Sequence, residues 1–206
     1  NIRKTGLIAM TLRDDDQLIE AKLIDAGEDV MIGTRDGMAI RFNESDVRVT
    51  GRSSMGVRGI SLDADDEVIG MQKLSQGDYV LVVSEKGMGK LTHVDEFKAQ
   101  KRGGKGLHCY RITEKTGKLV GFKLTAKERE IMLITNEGVI IRMSLKDAKD
   151  IGRNTSGVKF MNIDPDSTTV IASIAKVRES TTEAYEAELA EAEAVPEDTE
   201  DVGEDN

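Results

Sequence analysis

The sequence predicts an all-β protein: part of a propeller-like ring of four-stranded blades, followed by a disordered acidic C-terminal tail. Two sets of glycines and a recurring apolar run predict it. Turn glycines fall at Gly37, Gly87 and Gly138, and a second set falls nineteen residues later, at Gly56, Gly106 and Gly157. Gly6 continues the second set upstream, so the period is 50–51 residues throughout. A fixed period of that length marks a repeat architecture, in which neighbouring units bury one another's apolar faces.

Each unit opens with a hairpin. Val30–Thr34, Val80–Ser84 and Ile131–Thr135 are runs rich in Val, Ile, Leu and Met. Each is followed by a polar turn ending in glycine and by a second run, Met38–Phe42, Met88–Thr92 or Val139–Met143. Apolar runs joined by short glycine turns are a hairpin signal, because the turn needs φ > 0. A long loop then ends at the second glycine. A third strand is expected from Val57, Leu107 and Val158. A fourth is expected at Val68-Ile69, Leu119-Val120 and Val170-Ile171, with Leu18-Ile19 as its counterpart one period earlier. Four short strands per unit is the content of a propeller blade. Helix is expected only as single turns at Val94–Phe97 and Lys146–Asp150. Rings of this kind usually close with about four to eight blades. Asn1 opens the chain within a repeat, so further blades are expected upstream.

The formal net charge of −9 averages two unlike parts. All 29 Lys and Arg residues lie at or before Arg178, together with 26 of the 38 acidic residues, which leaves residues 1–178 at about +3. The other twelve acidic residues lie in 179–206, where no basic residue occurs. The chain thus divides into a blade domain, 1–178, with about three full repeats, and a tail, 179–206. The tail has too little apolar surface to offset the entropy of ordering. A basic body with an acidic tail fits a nucleic-acid binder whose tail competes for the basic surface, or a tail that only aids solubility. No apolar run reaches the ~18–20 residues of a membrane span, and no signal peptide opens the chain. The one cysteine, Cys109, cannot form an internal disulfide, which fits a reducing cytoplasm.

The long loops superpose. Thr50–Gly56, Gln100–Gly106 and Ile151–Gly157 place Arg52, Arg102 and Arg153 at one position, and Arg58, His108 and Lys159 two residues past the closing glycine. The middle loop is the most basic: Gln100-Lys101-Arg102-Gly103-Gly104-Lys105-Gly106. Cations interleaved with small hydrogen-bonding residues are what phosphate contact requires. Gly103-Gly104 would let a duplex backbone approach the main chain and could form an anion-binding nest. Nothing resembles base readout: there is no recognition helix, and aromatic residues make up 3% of the chain. The predicted chemistry is binding of double-stranded DNA without sequence preference, through Gln100 to Gly106, Arg52, Arg58, Arg153 and Lys159.

Other chemistries lack their residues. The Gly-Lys pairs at Gly89, Gly104 and Gly117 lack the spacing of a phosphate-binding P-loop. His93 and His108 have no partner at metal-ligand spacing, so no metal site is assigned. Tyr79, Tyr110 and Tyr185 fall in strands or the tail, and no catalytic residue is assigned. Cys109 reads as a packing residue. Asp14–Asp16 and Asp63–Glu67 read as solvated turns.

The heptad Gln100–Gly106 closely resembles the gyrase A box, the signature of the C-terminal domain of DNA gyrase A, with Lys101 where the box most often has Arg. The resemblance extends over Asp29–Phe42, Val47–Ile60, Glu130–Arg142 and Ile151–Phe160, and an acidic tail is a usual ending. It implies a β-pinwheel whose blades exchange strands, with this chain as the last three of about six blades. In the family the box lies on the first blade, whereas here it lies on what corresponds to the penultimate one. The resemblance further implies that DNA wraps around the basic rim and that wrapping supports ATP-dependent negative supercoiling by a type II topoisomerase. The catalytic tyrosine would lie in the remainder of gyrase A, and ATP and Mg elsewhere in an A2B2 heterotetramer with gyrase B. No cofactor is expected in this segment. Two other readings stay open: an A-type C-terminal domain of topoisomerase IV, and a non-enzymatic protein-interaction propeller.

Overall fold

A computed structural model describes residues 6–177. The expected tail lies outside the described residues. Among these residues the elements are β1 (Asp29–Thr34), β2 (Met38–Asn43), β3 (Val68–Lys73), β4 (Tyr79–Ser84), β5 (Met88–His93) and β6 (Leu107–His108). They continue as β7 (Leu119–Thr125), β8 (Glu130–Thr135), β9 (Ile140–Ser144), β10 (Val158–Lys159) and β11 (Ile171–Lys176). Helix is limited to single 3-10 turns at Glu44–Asp46, Leu74–Gln76 and Val94–Glu96.

The strands form three antiparallel sheets, in the orders β3-β1-β2-β6, β10-β5-β4-β7 and β11-β8-β9. Each hairpin forms as its sequence predicts, with Ile32 opposite Ile40, Leu81 opposite Leu91 and Leu133 opposite Ile141. The outermost strand of a blade, however, comes from the next repeat. β6 pairs Leu107 with Ala39 and His108 with Met38, and β10 pairs Val158 with Gly89 and Lys159 with Met88.

Three expectations are corrected. The third blade has three strands rather than four, because no described residue supplies its outer strand. Val57 starts no strand, since the sheet it would join is absent from the described residues, and Leu18-Ile19 starts none for the same reason. In the third repeat the inner strand sits one residue later than its spacing predicts. Ile171, not Val170, stands opposite Thr135 where Val68 stands opposite Thr34.

Alternation along the strands builds the core between blades. In β4, Val80 and Val82 face one cluster with Met31, Ala39, Phe97, Tyr110 and Phe122. Leu81 and Val83 face the other, with Leu91, Ile131, Leu133, Leu145 and Ile171. Because β4 is covered on both faces, it reads as a continuous apolar run. Burying each such side chain contributes about 1.5–3 kcal/mol. The inner strands β3, β7 and β11 lie against one another at the hub. The exchanged strands and long loops therefore lie at the rim.

Candidate nucleic-acid interface

Strand exchange sets the loops. The chain leaves each hairpin, crosses to the preceding blade, turns through the loop and lays its short strand on that blade's edge. At the closing glycine the backbone has φ near +80°, and it passes directly over the partner strand. A Cβ on Gly106 would collide with the Ala39 carbonyl, and one on Gly157 with that of Gly89. Gly56 keeps the same conformation, φ +81°, with nothing around it.

Arg102 and Arg153 hold equivalent places and form equivalent bonds. Arg102 donates from Nη1 to the Arg58 carbonyl at 2.5 Å and from Nε to the Asp46 carbonyl at 2.8 Å. Arg153 donates from Nη1 to the His108 carbonyl at 2.9 Å. Each arginine thus clamps the loop of the preceding repeat, two residues past its closing glycine. Both side chains are half-buried by this docking. Arg52, the third of the set, is exposed and makes no such bond among the described residues.

The remaining predicted residues divide by exposure. Lys101 and the Arg58 side chain are exposed and form no ion pair among the described residues. Lys105 pairs with Asp63 at 2.6 Å, but both side chains are about two-thirds exposed, and such a pair contributes little. Lys159 donates to Asn162 Oδ1 at 3.0 Å. The Gln100 N–H donates to the Arg41 carbonyl at 2.7 Å and so docks the middle loop on β2. The Gly103 N–H donates to Gly59 O at 2.8 Å, and the Gly104 carbonyl accepts from the Ser61 N–H at 2.9 Å. A nest needs successive N–H groups turned outward, and the Gly103 N–H is turned to the protein. Its φ of +84° makes the turn.

Sequence reading missed Lys90. It is 1% exposed and donates from Nζ to Gly152 O at 2.8 Å, Arg153 O at 2.5 Å and Thr155 Oγ1 at 3.1 Å. Its ammonium lies 5.7 Å from the centre of the Tyr110 ring. Desolvation lowers its pKa to about 8. Tyr110 donates to Ser156 O at 2.5 Å and Thr92 to Ile151 O at 2.7 Å, so the second blade grips the third loop from beneath. The Gly89-Lys90 pair draws notice only as a failed P-loop, because nothing local shows that its partner lies sixty residues away. Cys109, also buried, has its thiol pushed up to about 12, mainly by desolvation.

Comparison with known proteins agrees with this geometry. The family model of the DNA gyrase C-terminal domain, β-propeller, matches residues 1–25, 28–75, 78–126 and 129–176 in turn. The chain belongs to that family. It is 44% identical over 164 residues to the DNA gyrase A of Ureaplasma parvum serovar 3, covering 80% of this chain and 20% of the relative. It is 40% identical over 189 residues to that of Staphylococcus aureus strain MRSA252, covering 91% and 21%. The chain thus spans about a fifth of the length of these relatives. A solved DNA gyrase A C-terminal domain superposes with a TM-score of 0.77 at 27% identity, over 85% of this chain and 59% of that one. The C-terminal domain of a DNA topoisomerase IV superposes at 0.80 with 25% identity, over 91% and 58%. Among the described residues, no helix is long and apolar enough to cross a membrane.

Proposed function

We propose that the chain binds duplex DNA along its rim without reading sequence, and bends it around successive blades as part of a DNA gyrase A. One observation carries the reading: strand exchange brings a cationic loop to the same edge of each blade junction. Regularly placed cations attract phosphates whatever the bases, and several anchored contacts offset the roughly 1–6 kcal/mol that smooth bending of 20–30 bp costs. In the whole protein this wrap would feed ATP-dependent supercoiling, with the catalytic tyrosine in the rest of gyrase A and ATP and Mg held elsewhere in an assembly with gyrase B.

The test is ligation of nicked circular DNA in the presence of the 206-residue chain. Wrapping leaves a shifted linking number after the protein is removed, and binding without wrapping leaves none. Loss of all binding at moderate salt, with no linking shift at low salt, would overturn the proposal.

The likeness to the topoisomerase IV domain favours a second reading, since the two superpositions are nearly equal. The gyrase reading rests on the curated relatives and on the heptad at Gln100–Gly106. It expects a linking shift of one sign that scales with bound protein.

A further inference from the structure

Among the described residues the chain crosses to the preceding blade twice, at Lys98 and at Lys149, and Arg48 holds the equivalent place one period earlier. We infer that Arg48, Lys98 and Lys149 form a row of phosphate contacts, one per blade junction, distinct from the loop arginines. The inference rests on the DNA-binding reading above and says where on the rim the duplex is touched.

The three residues share the 50–51 period of the turn glycines. Each follows a tight turn that ends its own blade's hairpin. Phe97 donates to Val94 O at 3.0 Å, Ala148 to Leu145 O at 3.0 Å and Val47 to Glu44 O at 2.8 Å. On the far side the chain is docked on the preceding blade: Gln100 donates to Arg41 O, and Ile151 to Leu91 O at 2.9 Å. Lys98-Ala99 remain between the docking points in one crossing, and Lys149 precedes the Asp150 bridge to Leu91 in the other; all four residues are exposed. At Lys98 and Lys149 the crossing is therefore a short strap fixed at both ends, which holds its cation outward at little further cost in backbone entropy. Arg48 holds the equivalent place one period earlier, where no preceding blade lies among the described residues.

These cations are free where the loop arginines are not. Among the described residues, Arg48, Lys98 and Lys149 enter no ion pair or side-chain hydrogen bond. Two of the neighbouring acids are engaged elsewhere: Asp150 pairs with Lys127 at 2.7 Å, and Glu96 accepts the Arg153 N–H at 2.8 Å. Arg102 and Arg153, by contrast, use guanidinium donors on backbone carbonyls. The rim thus divides its labour, with the loop arginines tying repeat to repeat and the strap cations presenting charge.

The test compares the 206-residue chain with a variant carrying Arg48→Gln, Lys98→Gln and Lys149→Gln, by titrating a duplex against salt. Each phosphate contact contributes about 0.9 to the slope of log affinity on log salt, so the variant should lose up to about 2.7. Its thermal midpoint should match the wild type, since no packing partner is lost. The charge-preserving pair Lys98→Arg and Lys149→Arg should keep the full slope. Salt-dependent wild-type binding with an unchanged slope in the triple variant would overturn the strap assignment alone. Wild-type binding without salt dependence would overturn the DNA reading and this inference with it.

Discussion

The Lys90 ammonium donates to the main-chain carbonyl of Arg153, so a buried charge in one blade fixes the loop of the next at its most basic point. Lys90→Met would leave the carbonyls of Gly152 and Arg153 without this donor and should destabilise the protein by roughly 1–3 kcal/mol. The pH dependence has a definite sign. The folded pKa, about 8, lies below the unfolded value of ~10.4, so between those values the unfolded chain binds more protons. The stability advantage of wild type over Lys90→Met should be flat below pH 8 and grow toward pH 10.4, by an amount of order 1–3 kcal/mol. Urea denaturation of both proteins at pH 7 to 10 measures it. An advantage that shrinks in that window would mean the three acceptors hold Lys90 charged.

The closing glycine and the box glycine should respond oppositely to alanine. Gly106→Ala forces a Cβ into the Ala39 carbonyl at φ +78° and should cost about 1–3 kcal/mol or more. At Gly104 a Cβ would meet nothing nearer than 3.6 Å, so Gly104→Ala should leave thermal stability within about 0.5 kcal/mol. Thermal melts of the two variants compare them directly. Equal losses would mean that loop and strand are not seated as described.

Arg102→Ala and Arg153→Ala should each lower stability modestly, by roughly 0.5–1.5 kcal/mol per site, because each removes a bond to a carbonyl of the preceding repeat that lies within reach of water. Lysine should restore the charge but not the two-point grip of Arg102, since an ammonium lacks the planar fork. A melting curve of Arg102→Lys that coincides with wild type would show that charge alone matters there.

Cys109 should report unfolding. With the thiol 1% exposed and its pKa pushed up to about 12, a disulfide reagent at pH 8 should find almost no thiolate in the folded chain. Labelling should become fast only where urea opens the core between the first and second blades. Rapid labelling in native buffer would show that the core around Tyr110 opens easily.

The hairpins and their register were legible because they are local: turn glycine, alternation and partner strand lie within fifteen residues. The exchanged strands were legible only through family resemblance, since Met38 and His108 are seventy residues apart and neither has a pattern of its own. At the rim, the sequence located the loops but not the direction of their side chains. Arg102 and Arg153 stand in register as phosphate contacts would, yet register is equally what a repeated clamp requires. The strap cations Arg48, Lys98 and Lys149 obey the same period and were open to the same alignment. They stand just before the aligned heptads, where no glycine or repeated arginine marks the position.

Borrowing the outer strand from the next repeat also has a consequence for synthesis. β2 ends at Asn43, but the strand that covers its edge begins at Leu107. At roughly 5–20 residues per second, the ribosome leaves that edge bare for about 3–13 seconds. Each blade therefore waits for its successor to emerge. A pause in translation within a loop would prolong the exposure of the blade before it, and uncovered strand edges are where neighbouring nascent chains can pair.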